Sequence, residues 1–466
     1  MEHPAAGQKR NRVFRLLSLE LIFADERCAA ALTDERYLAA MARFEGALAI
    51  ASAHAGVIPD GEAKTIAKVC ERAAFDTAAL AKEARLAGTL AIPLVKALKK
   101  QVAAVSEPAA KFVHYGATSQ DAMDTALALC LKEAAKRIQE LTLQVGEGAA
   151  KLARAHAKTP TVARTMLQPA APVPFGWKAA MWLAPLARSL PHFRAAALEA
   201  CVLQLGGAAG TLSAFGDKAE AIAGQLSGEL GLPKAVTWHS ARDALVRMGS
   251  EAAILTGLAA KIAQDIALLM QPEIGEASEP AAPGRGGSSS LPHKHNPSGC
   301  LLALEAAMRT PGLAATLMTQ LAPQHERGLG HWQSQWFTLR NLANGTASAL
   351  AATAEVLQGL KVDVRAMGAN LERTKGLVYS EAVSLRLSRE LADRLTQKAV
   401  SEGKHLLDVM RAEAEVTKSI PAGELDALFQ VEKSYGAAQA MIDRVLADWA
   451  SARGTSPSAP RGSSRP

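Results

Sequence analysis

Apolar residues recur at intervals of three and four along most of the chain. Leu38, Met41, Phe44, Leu48 and Ala51 set this rhythm within residues 30–110, the period that turns one face of an α-helix toward a core. Pro59, Asp60 and Gly61 break it, a second helix is expected through Ile66 and Val69, and Ile92-Pro93-Leu94 opens another. The polar run His114–Asp121 (HYGATSQD) predicts a loop, after which Asp124 or Thr125 is expected to cap a long helix through Leu131 and Ile138 to about Ala157. Pro169, Pro172 and Pro174 exclude a helix interior, and helix resumes at Trp177. A glycine-rich flexible segment (206–217) follows, then helices from Asp243 to about Met270, from Leu301 to about Leu360, and from Val362 to Ala450. No fixed-period repeat is present, so long amphipathic helices with short breaks predict an all-α helix bundle rather than a solenoid.

Composition narrows the function classes. Of the 466 residues, 49% are hydrophobic, 21% charged and only 4% aromatic, which excludes a disordered chain and disfavours an all-β sandwich. The net charge of +7 suggests nucleic acid, but Lys9, Arg10 and Arg12 at one end and Arg453, Arg461 and Arg465 at the other carry most of it. With both ends read as loose tails and a nearly neutral body, no nucleic-acid partner is expected. Val13–Phe23 resembles a signal-peptide core, but Arg15 and Glu20 interrupt it. No charge-free stretch of about 20 apolar residues exists, so no membrane partner is expected. Five scattered cysteines, Cys28, Cys70, Cys130, Cys201 and Cys300, form neither a disulfide framework nor a zinc motif, which fits a cytoplasmic protein.

The chemistry is expected in three polar segments that interrupt the helices, 113–125, 163–176 and 283–299. Thr118, Ser119 and Gln120 place hydroxyl and amide donors just before a helix start, where backbone N–H groups favour an anion; the plain alternative is an ordinary capping loop. Ser288, Ser289, Ser290, Lys294 and Asn296 crowd a Gly-rich loop stiffened by Pro292 and Pro297. Loop N–H groups and the Lys294 ammonium would lower the cost of a serine alkoxide; the alternative is a Gly/Ser linker. His293 and His295 read as loop residues and no metal site is expected. Trp332 and Trp336, four apart, read as core or interface. Glu273, Glu276 and Glu279 read as a solvated face.

Gly287-Ser-Ser-Ser-Leu-Pro-His-Lys-His-Asn-Pro297 resembles the G-S-S-x-M-P-x-K-x-N-P signature of the fumarase/aspartase superfamily, with Leu291 for Met. His114–Asp121 and Arg164-Thr-Met-Leu-Gln168 match the superfamily's other two regions in order. Ala117–Thr125, Leu203–Gly207, Trp238-His239 with Arg242-Asp243, and His325-Glu-Arg327 resemble its cycloisomerase branch. The resemblance spans about residues 25–445. It implies a three-domain subunit with a central long-helix bundle, divided as 25–112, 113–361 and 362–450 between tails 1–24 and 451–466. It further implies a homotetramer whose active sites gather the three segments from three subunits, acting without a cofactor on a small di- or tricarboxylate. By motif position Ser288 and Lys294 would be catalytic. His114, Thr118, Ser119, Gln120, Thr165, Gln168, Asn296 and Arg327 would bind substrate.

Three departures stand out. Met166 occupies the His position of R-T-H-x-Q, Pro169 that of the L-Q-H-A stretch, and Gln335 the carboxylate position of W-x-x-E-W. A His–carboxylate relay from those positions cannot operate; His239 is a candidate acid/base in its place, with a partly buried structural histidine as the plain alternative. The activity implied is interconversion of 3-carboxy-cis,cis-muconate and carboxymuconolactone in aromatic-compound (β-ketoadipate) breakdown. The alternatives are a β-elimination lyase for an N-substituted succinate and a catalytically silent scaffold. Intact Ser288, Lys294 and Asn296 weigh against the scaffold.

Overall fold

The computed structural model describes residues 22–454. The basic stretch 1–12, nearly all of Val13–Phe23 and the residues from 455 on lie outside the described residues.

The architecture is all-α. In chain order the elements are α1 (Glu26–Ala31), α2 (Asp34–His54), α3 (Asp60–Cys70), α4 (Thr77–Ala87), α5 (Ala91–Ala103) and the 37-residue α6 (Ser119–Ala155). The hairpin β1 (Pro160–Thr165) and β2 (Gln168–Pro174) leads into α7 (Phe175–Ala200), α8 (Ala219–Leu230) and α9 (Asp243–Leu269). After the short strand β3 (Ala277–Ser278) come α10 (Ser298–Met318), α11 (Gln335–Gly359), its partner strand β4 (Lys361–Val362) and α12 (Val364–Arg373). Short helices then lead to α13 (Ala438–Gly454).

The chain forms two compact units. Of the described residues, one holds those up to Ile138 with Arg194–Ala253 and Arg309–Ser348; the other holds Gln139–Phe193, Ile254–Met308 and those from Ala349 to Gly454. All five long helices, α6, α7, α9, α10 and α11, contribute residues to both. The first unit buries Ile58, Ile66, Leu98, Val102 and Val113 in one core, and Tyr37 stacks on Trp336 with ring centroids 3.9 Å apart. The second buries Val383, Leu395, Leu406, Val409 and Met410. Few aromatics are needed because small residues let helices approach closely. A Cβ on Gly146 of α6 would lie 2.2 Å from the buried Trp449 ring of α13.

Local chemistry explains several helix starts. Asp25 caps α1 by accepting from the Cys28 N–H at 2.9 Å, and Thr33 caps α2 by accepting from Arg36 N–H. The start of α6 departs from the sequence expectation. It begins at Ser119, five residues before Asp124, because Asp121 Oδ2 accepts from the Thr118 N–H at 3.0 Å, one arm of a capping box. The Pro-rich segment is a β-hairpin, since proline holds the backbone near extended values. Trp336 lies in α11, whereas Trp332 lies in the turn before it.

Two further readings are corrected. The end read as a tail from residue 451 is helical through Gly454, and Arg453 pairs with Glu147 at 2.9 Å. The solvated face holds for Glu273 alone: Glu276 and Glu279 are buried because each satisfies several donors. By length and composition α9 would pass for a membrane-crossing helix. However, it carries Lys261 paired with Asp265, and Asp265 accepts from Trp182 Nε1 at 2.7 Å.

Candidate active site

In the first unit the α6 N-terminus organises a buried polar cluster. The Asp121 carboxylate has no exposure and accepts four N–H bonds, from Thr118, Gly207, Gly206 and the Gln204 amide, at 2.9–3.0 Å. Burial pushes its carboxyl pKa up, and the four donors pull against that shift. Thr118 and Ser119, both half-buried, stand at the helix start that this arrangement fixes. Gln120 is fully buried and its amide is fully used. Its Nε2 donates to Asp124 and to the His239 carbonyl, each at 2.9 Å, and its Oε1 accepts from Arg327 at 2.9 Å. Gln120 therefore braces its neighbours in this geometry.

Behind Gln120 lies a buried ion pair. Arg242 donates to both oxygens of Asp124, at 2.6 and 3.0 Å, and also to Gln335 Oε1; its guanidinium lies 4.7 Å from the Trp238 ring centroid. Position 335, where the superfamily pattern has a carboxylate, thus serves Arg242 as a neutral acceptor. Asp124, expected as a cap, supplies the negative charge from the helix interior.

His239 sits beside this pair and is only 6% exposed. Its Nδ1 lies 2.8 Å from Thr237 Oγ1, while Nε2 is buried with no hydrogen-bond partner among the described residues. A Cβ at Gly210, where φ is +94°, would come within 2.5 Å of its ring, so glycine is required there. Burial and then the Arg327 charge hold the imidazole pKa below its usual value. Among the described residues Arg327 itself donates only to neutral oxygens, Gln120 Oε1 and the carbonyls of Ala208 and Gly207. Its charge is thus available to an anion. His114 lies to one side with φ +64°, its Nδ1 2.7 Å from the buried Glu45 carboxylate. Burial alone would lower the His114 pKa, but Glu45 outweighs it and the net shift is upward.

The other two segments belong to the second unit. Thr165 and Gln168 flank the hairpin turn and are exposed. Between them Met166 and Leu167 both adopt left-handed conformations, φ +52° and +67°, and Met166 is 96% exposed. Two such non-glycine residues are costly and matter here as an exposed apolar tip. Arg164 anchors the hairpin: it pairs bidentately with buried Glu276, which also accepts from Thr161 and Asn370. Beside it a cleft of about 750 Å³ is lined by Val162, Leu167, Leu377 and Arg373.

In the 283–299 loop, Ser288 Oγ accepts from the Leu291 N–H at 3.1 Å and the Ser290 N–H at 3.4 Å. Lys294 is exposed and its backbone N–H closes the same turn on Leu291 O at 3.0 Å. Asn296 braces the loop from within, its Nδ2 donating to Gly287 O at 3.2 Å and its N–H to Gly286 O at 2.7 Å. Glu279 ties the loop to α10 by accepting from the Gly299 and Cys300 N–H groups and pairing with Arg285. His293 and His295 are exposed on the loop. The five cysteines are buried and free, and burial pushes the thiols of Cys70, Cys130 and Cys201 up to about 12, so they are not nucleophiles.

The sequence pointed to the segments that carry donors but missed Glu45, Gln204, Thr237, Glu276 and Glu279. The T-x-x-D spacing of Thr118 and Asp121 was a legible cap signal; Glu45, Gln204 and Glu276 meet partners 69 to 115 positions away in the chain.

Three comparisons bear on the family and the fold. A family model described as lyase matches residues 24–312. The chain is 45% identical to a 3-carboxy-cis,cis-muconate cycloisomerase of Bradyrhizobium diazoefficiens, over 90% of this chain and 94% of that protein. It is 36% identical to a nitrosuccinate lyase of Streptomyces davaonensis, over 90% and 91%. Its fold matches the crystal structure of 3-carboxy-cis,cis-muconate lactonizing enzyme from Pseudomonas putida with a TM-score of 0.88 and 38% identity, covering 93% of this chain and 99% of that one. The chain belongs to the lyase family of the fumarase/aspartase superfamily.

Proposed function

We propose that this enzyme interconverts 3-carboxy-cis,cis-muconate and carboxymuconolactone. The observation that carries the reading is Ser288: two backbone N–H groups converge on its Oγ in a loop that also bears Lys294 and Asn296. Such donors stabilise negative charge on the oxygen without reorganisation. In the forward direction a substrate carboxylate oxygen adds to the alkene, the electron pair moves onto the neighbouring carboxylate, and Ser288 delivers the proton to the carbon between them. The reverse reaction removes that proton and breaks the C–O bond. Counting the ionised carboxylates, lactonisation takes up one proton, which Ser288 delivers to carbon and regains from solvent, so atoms and charge balance without a cofactor. Because the nucleophile belongs to the substrate, proximity supplies much of the acceleration, which suits a site with Met166, Pro169 and Gln335 at the relay positions.

Lys294 and Arg327 are assigned to substrate carboxylates, with Thr118, Ser119, Thr165 and Gln168 as neutral donors, Asn296 holding the loop and Gln120 and His114 bracing the α6 end. We assign the working form to a cytoplasmic homotetramer whose sites draw the three segments from three subunits. Exposed apolar residues on the long helices support this, among them Leu301, Met308 at 84% exposure, and Phe337.

The test follows the ultraviolet absorbance of 3-carboxymuconate with the purified protein and with Ser288→Ala. Turnover by the wild type and a loss on the order of 100-fold or more in the variant are expected. No turnover, or fumarate release from an N-substituted succinate instead, overturns the cycloisomerase reading.

A further inference from the structure

The buried polar cluster fixes more than the position of His239. The Trp238 backbone N–H donates to Gln204 Oε1 at 2.7 Å, which sets the orientation of that amide unambiguously. The two Nε2 hydrogens of Gln204 are then directed at Asp121 Oδ1, at 3.0 Å, and Thr237 Oγ1, at 2.9 Å. With Gln204 donating to it, the Thr237 hydroxyl has its own hydrogen to place, and the acceptor at 2.8 Å is His239 Nδ1. A neutral imidazole that accepts at Nδ1 carries its hydrogen on Nε2. That Nε2 is buried and has no hydrogen-bond partner among the described residues.

We infer that Asp121, Gln204 and Thr237 lock His239 as a neutral Nε2–H donor reserved for a substrate oxygen, so that His239 holds an oxygen of the substrate and does not abstract the carbon-bound proton. Nothing in the sequence assigns a role to Thr237 or Gln204; both are positioning residues acting through His239. Asp121 anchors the chain because its four acceptor positions are all engaged by N–H donors and have no place for a proton. The charged groups around His239 are Arg327 and Glu326 from the segment before α11, Asp124 on α6 and Arg242 just before α9. Burial and the two arginines lower the imidazole pKa and so favour the uncharged ring, the form that a donor with an occupied Nδ1 needs. An unsatisfied buried N–H is costly, and a bound carboxylate or lactone oxygen removes that cost.

The donor role rests on the proposed function, whereas the tautomer does not. Nitrogen-15 NMR of the resting protein labelled at its eleven histidines, with His239 assigned by difference against His239→Gln, is expected to show a neutral Nε2–H ring from pH 6 to 9. It is expected to lose that single tautomer in Thr237→Val and regain it in Thr237→Ser. A ring protonated at Nδ1, or a cationic ring at pH 7, overturns the inference whatever the substrate.

The kinetic arm separates donor from acid/base. Glutamine keeps an N–H near the Nε2 position but cannot titrate, so His239→Gln is expected to retain at least a tenth of wild-type kcat while His239→Ala loses on the order of 100-fold. Thr237→Val is expected to lose about tenfold in kcat with Thr237→Ser recovering it. Equal loss in His239→Gln and His239→Ala overturns the donor role. Absence of carboxymuconate turnover by the wild type strikes the function reading alone, and the spectrum then decides the tautomer.

Discussion

Replacing Asp124 by Asn tests how the centre of the first unit is held. The change keeps the side chain's shape and removes the charge facing Arg242, whose side chain has no solvent exposure. It also turns an acceptor into a donor: Asp124 Oδ2 accepts from Arg242 Nη1 at 2.6 Å and from Gln120 Nε2 at 2.9 Å, while Oδ1 accepts from Arg242 Nη2 at 3.0 Å. Either orientation of an asparagine amide therefore sets N–H against N–H. Removing one partner of a buried ion pair costs about 3–5 kcal/mol, because the other charge stays buried and unpaired. At about 2–4 °C per kcal/mol for a unit of this size, the melting temperature is expected to fall by roughly 10 °C.

The structure supplies an internal control at Gln335, whose Oε1 accepts from Arg242 on the guanidinium's other side. Gln335→Glu in the Asp124→Asn background returns a negative charge to Arg242 and is expected to recover about 2 kcal/mol, within the usual range of coupling between touching residues. The assay is a double-mutant cycle of urea midpoints at one protein concentration. A cost below about 1 kcal/mol for Asp124→Asn, or no recovery from the added Glu, would refute the view that an uncompensated Arg242 charge dominates.

Other outcomes follow from neighbouring contacts. The upward His114 shift means that its pairing with Glu45 stabilises the protein fully below the unfolded histidine pKa of about 6.5 and is lost as pH rises through the folded value. Wild-type melting temperature, compared with Glu45→Gln between pH 6 and 9, is expected to fall more steeply with pH; parallel profiles refute the pairing. Glu276→Gln faces an amide toward Arg164 and Asn370 and is expected to cost about 3–5 kcal/mol in urea denaturation and to lower turnover by loosening the hairpin that carries Thr165 and Gln168. Gly146→Ala gains about 1 kcal/mol of helix propensity, but its Cβ meets the Trp449 ring at 2.2 Å, an overpacking cost of about 1–3 kcal/mol. Net destabilisation with altered tryptophan fluorescence is expected, and a stabilised variant refutes the close approach.

Gln335 shows why a departure from a motif needs its surroundings. As a string, W-x-x-Q-W looks like the loss of a catalytic carboxylate. In the fold the neutral amide oxygen lets one guanidinium share its charge with a single buried carboxylate, Asp124. A second carboxylate there would leave that buried cluster with net negative charge, which is expensive away from water.

Helices, breaks and the donor-rich segments were legible in the sequence because their causes are local. Spacings of three and four mark a buried helical face, glycine and proline interrupt it, and the Ser288 turn is closed by N–H groups two and three residues away. The site's polar order was not legible. Asp121 meets Gln204 across 83 positions, Arg242 meets Asp124 across 118, and Arg164 meets Glu276 across 112. Whether an Asp is a cap, a counter-charge or the anchor of a hydrogen-bond chain depends on which donors packing brings to it. The sequence alone determined an all-α protein with three polar segments bearing a superfamily's signature. Only the tertiary structure decided which neighbour each polar group meets, because burial removes water as the default partner and makes each polar atom depend on its neighbours.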